Sequence, residues 1–116
     1  MKLNILGTEY EVVVASEKVN SCMSECDGYC DTSVKKLFVK NFSSKKEELF
    51  SLNDLQSYAH KVARHEAVHA FLYESGLSVN SEWATNEEMV DWLAIQLPKL
   101  ARLMVEIDQL DLMPKE

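Results

Sequence analysis

Leu55-Gln56-Ser57-Tyr58-Ala59-His60-Lys61-Val62-Ala63-Arg64-His65-Glu66-Ala67-Val68-His69-Ala70-Phe71-Leu72-Tyr73-Glu74 is the stretch on which the reading of this chain turns. Leu55, Ala59, Val62, Ala63, Ala67 and Ala70 recur at three- and four-residue steps, the period of an amphipathic helix. Ser51 or Asn53 is placed to cap its start. Gly76, just past Glu74-Ser75, is a natural stop, since glycine enters the left-handed conformation without a Cβ penalty. The expected helix covers about 54 to 75. In its middle stands His65-Glu66-Ala67-Val68-His69. Positions four apart differ by about 40° around a helix, so the two imidazoles leave one face as neighbouring nitrogen donors suited to a tetrahedral zinc ion. Glu66 lies beside them, where a general base that takes a proton from an attacking water belongs.

A catalytic zinc site uses three protein ligands, so the search moves outward. His60 is five residues before His65, about 140° around the axis, and is read as surface or boundary packing. The acids of the second half, Glu82, Glu87, Glu88 and Asp91, sit at the start of a second helical pattern capped by Thr85 or Asn86 and continued by Val90, Leu93, Ala94 and Leu97. Glu87 shares a face with Val90, Asp91 and Ala94 and is the preferred third ligand. Asp91, one turn on, is then placed to accept a hydrogen bond from the far nitrogen of a ligand histidine. Glu88 ranks second, because it would put Trp92 where that partner belongs. Acids are also favoured at any helix N-terminus by the dipole, with no metal involved. Tyr73, four residues past His69, can stabilise an oxyanion or contact substrate, although an aromatic at that spacing also serves as plain core. Trp83 and Trp92 read as core or groove wall. Pro98 should kink or restart the second helix, after which Leu100, Ala101, Met104, Ile107 and Leu110 form an amphipathic stretch that closes the core or faces a partner.

The first half has a different character. Leu3-Asn4-Ile5-Leu6 and Tyr10-Glu11-Val12-Val13-Val14, separated by Gly7-Thr8-Glu9, read as a hairpin. Asp27-Gly28, Tyr29-Cys30-Asp31 and Val34-Lys35-Lys36-Leu37-Phe38-Val39 read as a second one, with Glu17 to Glu25 ambiguous. Cys22, Cys26 and Cys30 recur every four residues but lack the tight pairs of a zinc ribbon, and are expected to be reduced thiols. The 116 residues, 47% hydrophobic and 27% charged, suit one α+β domain, β-rich over 1–45 and helical over 52–112. A net charge of −7 argues against sequence-independent nucleic-acid binding, which depends on phosphate neutralisation. The acid is concentrated in residues 51–116, with eleven acidic against five basic groups, while Lys35, Lys36, Lys40, Lys45 and Lys46 read as solvated strand and loop surface. The longest apolar runs, such as Val12-Val13-Val14-Ala15, are too short to span a bilayer, and the N-terminal residues form no signal-peptide core. A cytoplasmic protein is expected.

The His65–His69 motif followed by Glu87-Glu88-Met89-Val90-Asp91-Trp92-Leu93-Ala94 resembles the gluzincin pattern, HExxH with a downstream Glu-x-x-x-Asp. More narrowly it is similar to the minigluzincin and ImmA/IrrE-like metallopeptidases, often carried by phages and mobile elements, with Val90 and Asp91 where those proteins more commonly have Ala-Asn. The resemblance implies a zincin-like fold: a small antiparallel sheet, an active-site helix, and a helix bearing the third ligand. It further implies a Zn2+-dependent metallopeptidase acting on a protein or peptide substrate, with a regulatory role in a mobile element and with Val34 to Val39 as the edge strand on which substrate lies. The alternatives are a metal-binding but non-catalytic module of antirepressor type, and a metal-free helical interaction domain using the Leu97 to Leu110 stripe.

Overall fold

The computed structural model describes residues 1–43 and 54–115. Strands β1 (Lys2–Ile5) and β2 (Thr8–Ala15) form the first hairpin, with Lys2 opposite Glu11 and Ile5 opposite Thr8. The turn is Leu6-Gly7, both at positive φ (50° and 88°), the two-residue geometry whose twist matches paired strands. After a 3-10 turn at Ser21–Ser24, β3 (Gly28–Asp31) and β4 (Lys36–Lys40) form the second hairpin.

The sheet runs β1-β2-β4-β3, and β2 pairs with β4 in parallel, Val12 opposite Leu37 and Val14 opposite Val39. It is therefore mixed, which corrects the expectation of an antiparallel sheet. It also removes Val34 to Val39 from the edge. The segment from Ser16 to Lys35 is long enough to carry the chain back before it pairs again, which a parallel neighbour requires. β4 holds the interior position because it alternates strongly, with Leu37 and Val39 buried, whereas the four residues of β3 are only half-buried and take the edge.

Helix α1 (Leu55–Glu74) is capped by Asp54, whose carboxylate accepts from the Ser57 N–H, and ends just before Gly76. The caps expected at Ser51 and Asn53 lie outside the described residues, and Asp54 takes that role instead. Two 3-10 turns, Leu77–Val79 and Glu82–Thr85, lead into α2 (Glu87–Asp108), capped by the Asn86 side chain on the Met89 N–H. α1 is the middle layer. Its Ala70 packs with Ile5, Tyr10 and Leu37 of the sheet, and its Val68 and Leu72 pack with Ala84, Val90 and Ala94 on the α2 side. Burial of each such large apolar side chain contributes about 1.5–3 kcal/mol.

α2 passes through Pro98 as one helix, so the restart expected there does not occur. A helical proline leaves the carbonyl four residues back without its N–H partner. Here that carbonyl belongs to Ala94, and the Arg64 Nε–H of α1 donates to it at 3.3 Å. The lysines are less solvated than their run suggested. Lys35 pairs with Glu74 at 2.8 Å, and Lys40 reaches Glu17 at 3.7 Å and Asp27 at 3.6 Å, while Lys45 and Lys46 lie outside the described residues. Among the described residues no helix is long and apolar enough to cross a membrane.

Two contacts fasten the sheet to α1. Gly28 lies so close to the helix that an added Cβ would meet Val62 Cγ1 at 2.6 Å and the Phe38 carbonyl oxygen at 2.8 Å. Gly28→Ala is expected to lower stability by about 1–3 kcal/mol, read as a lower urea midpoint, because backbone cannot yield as a side-chain tip can. At the other end of α1 the Glu74 carboxylate accepts from Thr8 Oγ1, Tyr10 Oη and Lys35 Nζ at 2.9, 2.7 and 2.8 Å. Those bonds, that of Lys35 foremost, hold its carboxyl at about 2, below the ordinary 4.5. A depressed carboxyl stabilises the fold above its unfolded value and loses that contribution as pH falls through the folded one. The stability gap between the native protein and Glu74→Gln should accordingly close as pH drops from about 4.5 towards 2, measured by denaturation at stepped pH.

Candidate functional site

The cleft lies between β3 and the N-terminal turn of α2, with α1 as its floor. His65 and His69 leave α1 one turn apart, their rings 4.9 Å between centroids and edge to face at 67°. Glu87, the first residue of α2, reaches across to both: its Oε2 is 2.8 Å from His65 Nε2 and its Oε1 is 2.9 Å from His69 Nε2. Asp91, one turn along α2, sits with Oδ1 at 3.3 Å from His65 Nδ1. Its other oxygen faces Lys61 Nζ at 3.9 Å. The structure thus brings together His65, His69, Glu87 and Asp91, whereas Glu88 lines a separate groove with Trp83, Met89 and Trp92. Both tryptophans are exposed, which makes them groove wall and not core. His60 is at the surface, its Nδ1 bonded to the Gln56 carbonyl.

The donor set suits a metal cation. Among the described residues, His65, His69 and Glu87 each offer a ligand atom, and these atoms all lie within 4.8 Å of one another. Donors around a tetrahedral ion, each about 2 Å from it, stand about 3.3 Å apart. His65 makes the stronger point, because it has a carboxylate at each ring nitrogen. A neutral imidazole carries one N–H. With Asp91 at Nδ1, Nε2 and the Glu87 carboxylate face each other, a pair that is satisfied by a shared proton or by a metal cation between them.

Among the described residues Glu66 is the buried acidic one, 7% exposed, and lies in the cleft wall with Cys30 and Gly28. Burial pushes its carboxyl up to about 7; the charge of His65 opposes this and that of Glu87 adds to it. Burial likewise lowers the His69 imidazole, against the pull of Glu87. A carboxyl near neutrality can both accept and return a proton at physiological pH. Tyr73 is half-exposed in the same cleft wall, with Lys35 Nζ 5.0 Å above its ring.

Several residues of the cleft carry no motif in the sequence. Gly28, Tyr29, Cys30 and Thr32 enter it because β3 is the outer strand over α1, and Ser78 enters from the 3-10 turn after α1. The Ser78 hydroxyl is buried without a protein partner, a state that calls for a bound water or ligand group. The sequence signals for this wall are the Asp27-Gly28 turn and the short Tyr29-Cys30-Asp31 strand. The strand beside the site is thus β3 and not the Val34 to Val39 segment.

Comparison with protein-family models, with curated proteins and with solved structures finds no match to this chain.

The cysteines differ in surroundings. Cys22 is exposed, whereas Cys30 is half-buried with its thiol pushed up to about 11 by desolvation first and by the Glu66 charge second. The thiolate is the reactive form. Alkylation at neutral pH, followed by peptide mass mapping, should label Cys22 well before Cys30.

Proposed function

We propose that this chain is a small gluzincin-type zinc metallopeptidase that hydrolyses peptide bonds in a protein substrate. The observation that carries the reading is the convergence of two imidazoles from α1 and one carboxylate from α2 beside the buried Glu66 carboxyl. His65, His69 and Glu87 are the residues that would hold the ion. When bound, zinc acts as a Lewis acid that polarises the scissile carbonyl and acidifies the attacking water.

The protein's own groups do the rest. Asp91 orients the His65 ring through Nδ1 and raises its basicity. Glu66 takes the proton from the attacking water and delivers it to the leaving amine, a task suited to a carboxyl that burial raises above the ordinary carboxylate range. β3 is the outer strand of the sheet on the cleft side, so an extended substrate can add to its free edge by main-chain hydrogen bonds. Tyr73 stands in the same wall, where its hydroxyl would serve as a hydrogen-bond donor to substrate. A zincin-like fold, a place in the cytoplasm and a regulatory task in a mobile element complete the proposal, on the strength of the motif resemblance.

The test begins with metal content by elemental mass spectrometry after zinc is supplied. Near-stoichiometric zinc is expected, and its loss in His69→Ala. Glu66→Gln should keep the metal and lose peptide turnover by at least about a hundredfold. A biological function that survives Glu66→Gln, in a protein that binds metal but shows no peptide turnover, would instead identify a metal-bearing interaction module. A protein that takes up no metal would end both readings.

A further inference from the structure

The last three turns of α2 are not used by the cleft or by the core. From Leu97 to Lys115 every residue is exposed. The buried residues of α2 are Val90 and Ala94, both before Pro98. An isolated helix of some 12 residues is marginal in water, so a helix that continues this far past its packing asks for a partner.

The pattern on this segment says which partner. At 100° per residue, Leu97, Leu100, Leu103, Met104 and Ile107 fall within a band of about 120°. Leu97, Leu100, Met104 and Ile107 alternate steps of three and four, the spacing of a helix-pairing seam. All five are between 40% and 47% exposed. Lys99 and Glu106, seven residues apart, both border the same edge of this band, while Asp108 borders the other.

We propose that this face pairs two copies of the chain through an antiparallel contact of their α2 helices. In antiparallel pairing about a two-fold axis, like edges face each other. With the axis near residue 102, Leu97 of one copy lies level with Ile107 of the other, and Leu100 with Met104. Lys99 of each copy then meets Glu106 of the other, so both ion pairs form at once. Parallel pairing brings opposite edges together and sets Glu106 against Asp108, two like charges. The same acidic groups, with a net charge of −7, oppose seating on an anionic membrane. The self-complementary edge thus selects a second copy in antiparallel orientation.

Sedimentation equilibrium on the full chain should give about twice the 13.3 kDa of the monomer. Leu100→Asp with Ile107→Asp should return it to monomer. Circular dichroism checks that this variant is folded, and the charge variants carry the test if it is not. Lys99→Glu and Glu106→Lys should each weaken the dimer roughly tenfold, and the double exchange should restore it. A chain that stays monomeric up to about 1 mM would overturn the proposal. So would a dimer indifferent to the charge exchanges, or a monomer that instead sediments with anionic vesicles.

Discussion

Packing of Val68 and Leu72 on α1 against Val90 and Ala94 on α2 is the constraint from which the cleft follows. Histidines on one helix and a carboxylate on another have no fixed relation until the two axes are locked, and apolar side chains at this crossing lock them. Val90 is fully buried and lies three residues after Glu87, so the first turn of α2 cannot rotate without exposing it. The Glu87 carboxylate is thereby held against both imidazoles and Asp91 against the outer nitrogen of His65. Arg64 strengthens the same crossing at the point where Pro98 weakens α2, since it donates to the Ala94 carbonyl that the proline leaves open.

The other side of α1 is set by a different interaction. Small residues, Ala67 and Ala70, let the helix lie close to the sheet, and Gly28 permits the closest approach at the edge strand. Glu74 ties the far end of the helix to the first hairpin through Thr8 and Tyr10 and to the second turn through Lys35, which adopts a positive φ of 57° there. The helix is held at both ends and on two faces. Its third face is left to the cleft, where Glu66 sits at the boundary between core and site and carries the raised pKa that such a boundary imposes. Under the proposed function, that one buried carboxyl is the link between the stability of the fold and its chemistry.

α1, its motif and its stop were legible in the sequence because each rests on local spacing: the three-and-four period, histidines four apart, and a glycine at the end. Glu87 and Asp91 were legible for the same reason, since Val90 and Ala94 mark the buried face of α2 and the acids share it. Local spacing served less well in the sheet. Alternation at Leu37 and Val39 identifies a strand but does not name its neighbours, and β4 entered the interior beside β2, which made the sheet mixed and β3 the edge. Of the kink or restart that Pro98 suggests, the restart does not occur: Arg64, thirty residues before Ala94, pairs the carbonyl that the proline leaves without its N–H partner.

Local sequence is enough to locate the two helical regions, the His65–His69 pair on the first of them, and the acids that follow the Val90–Ala94 face of α2. Periodicity and side-chain chemistry act over a few residues and are written in the order of the chain. Long-range packing sets the order of the strands, the entry of Gly28, Cys30 and Ser78 into the cleft wall, and the turning of Glu88 away from it. Those outcomes depend on which buried surfaces find each other across sequence separations of tens of residues, and many strand orders satisfy the same local pattern until the core chooses one.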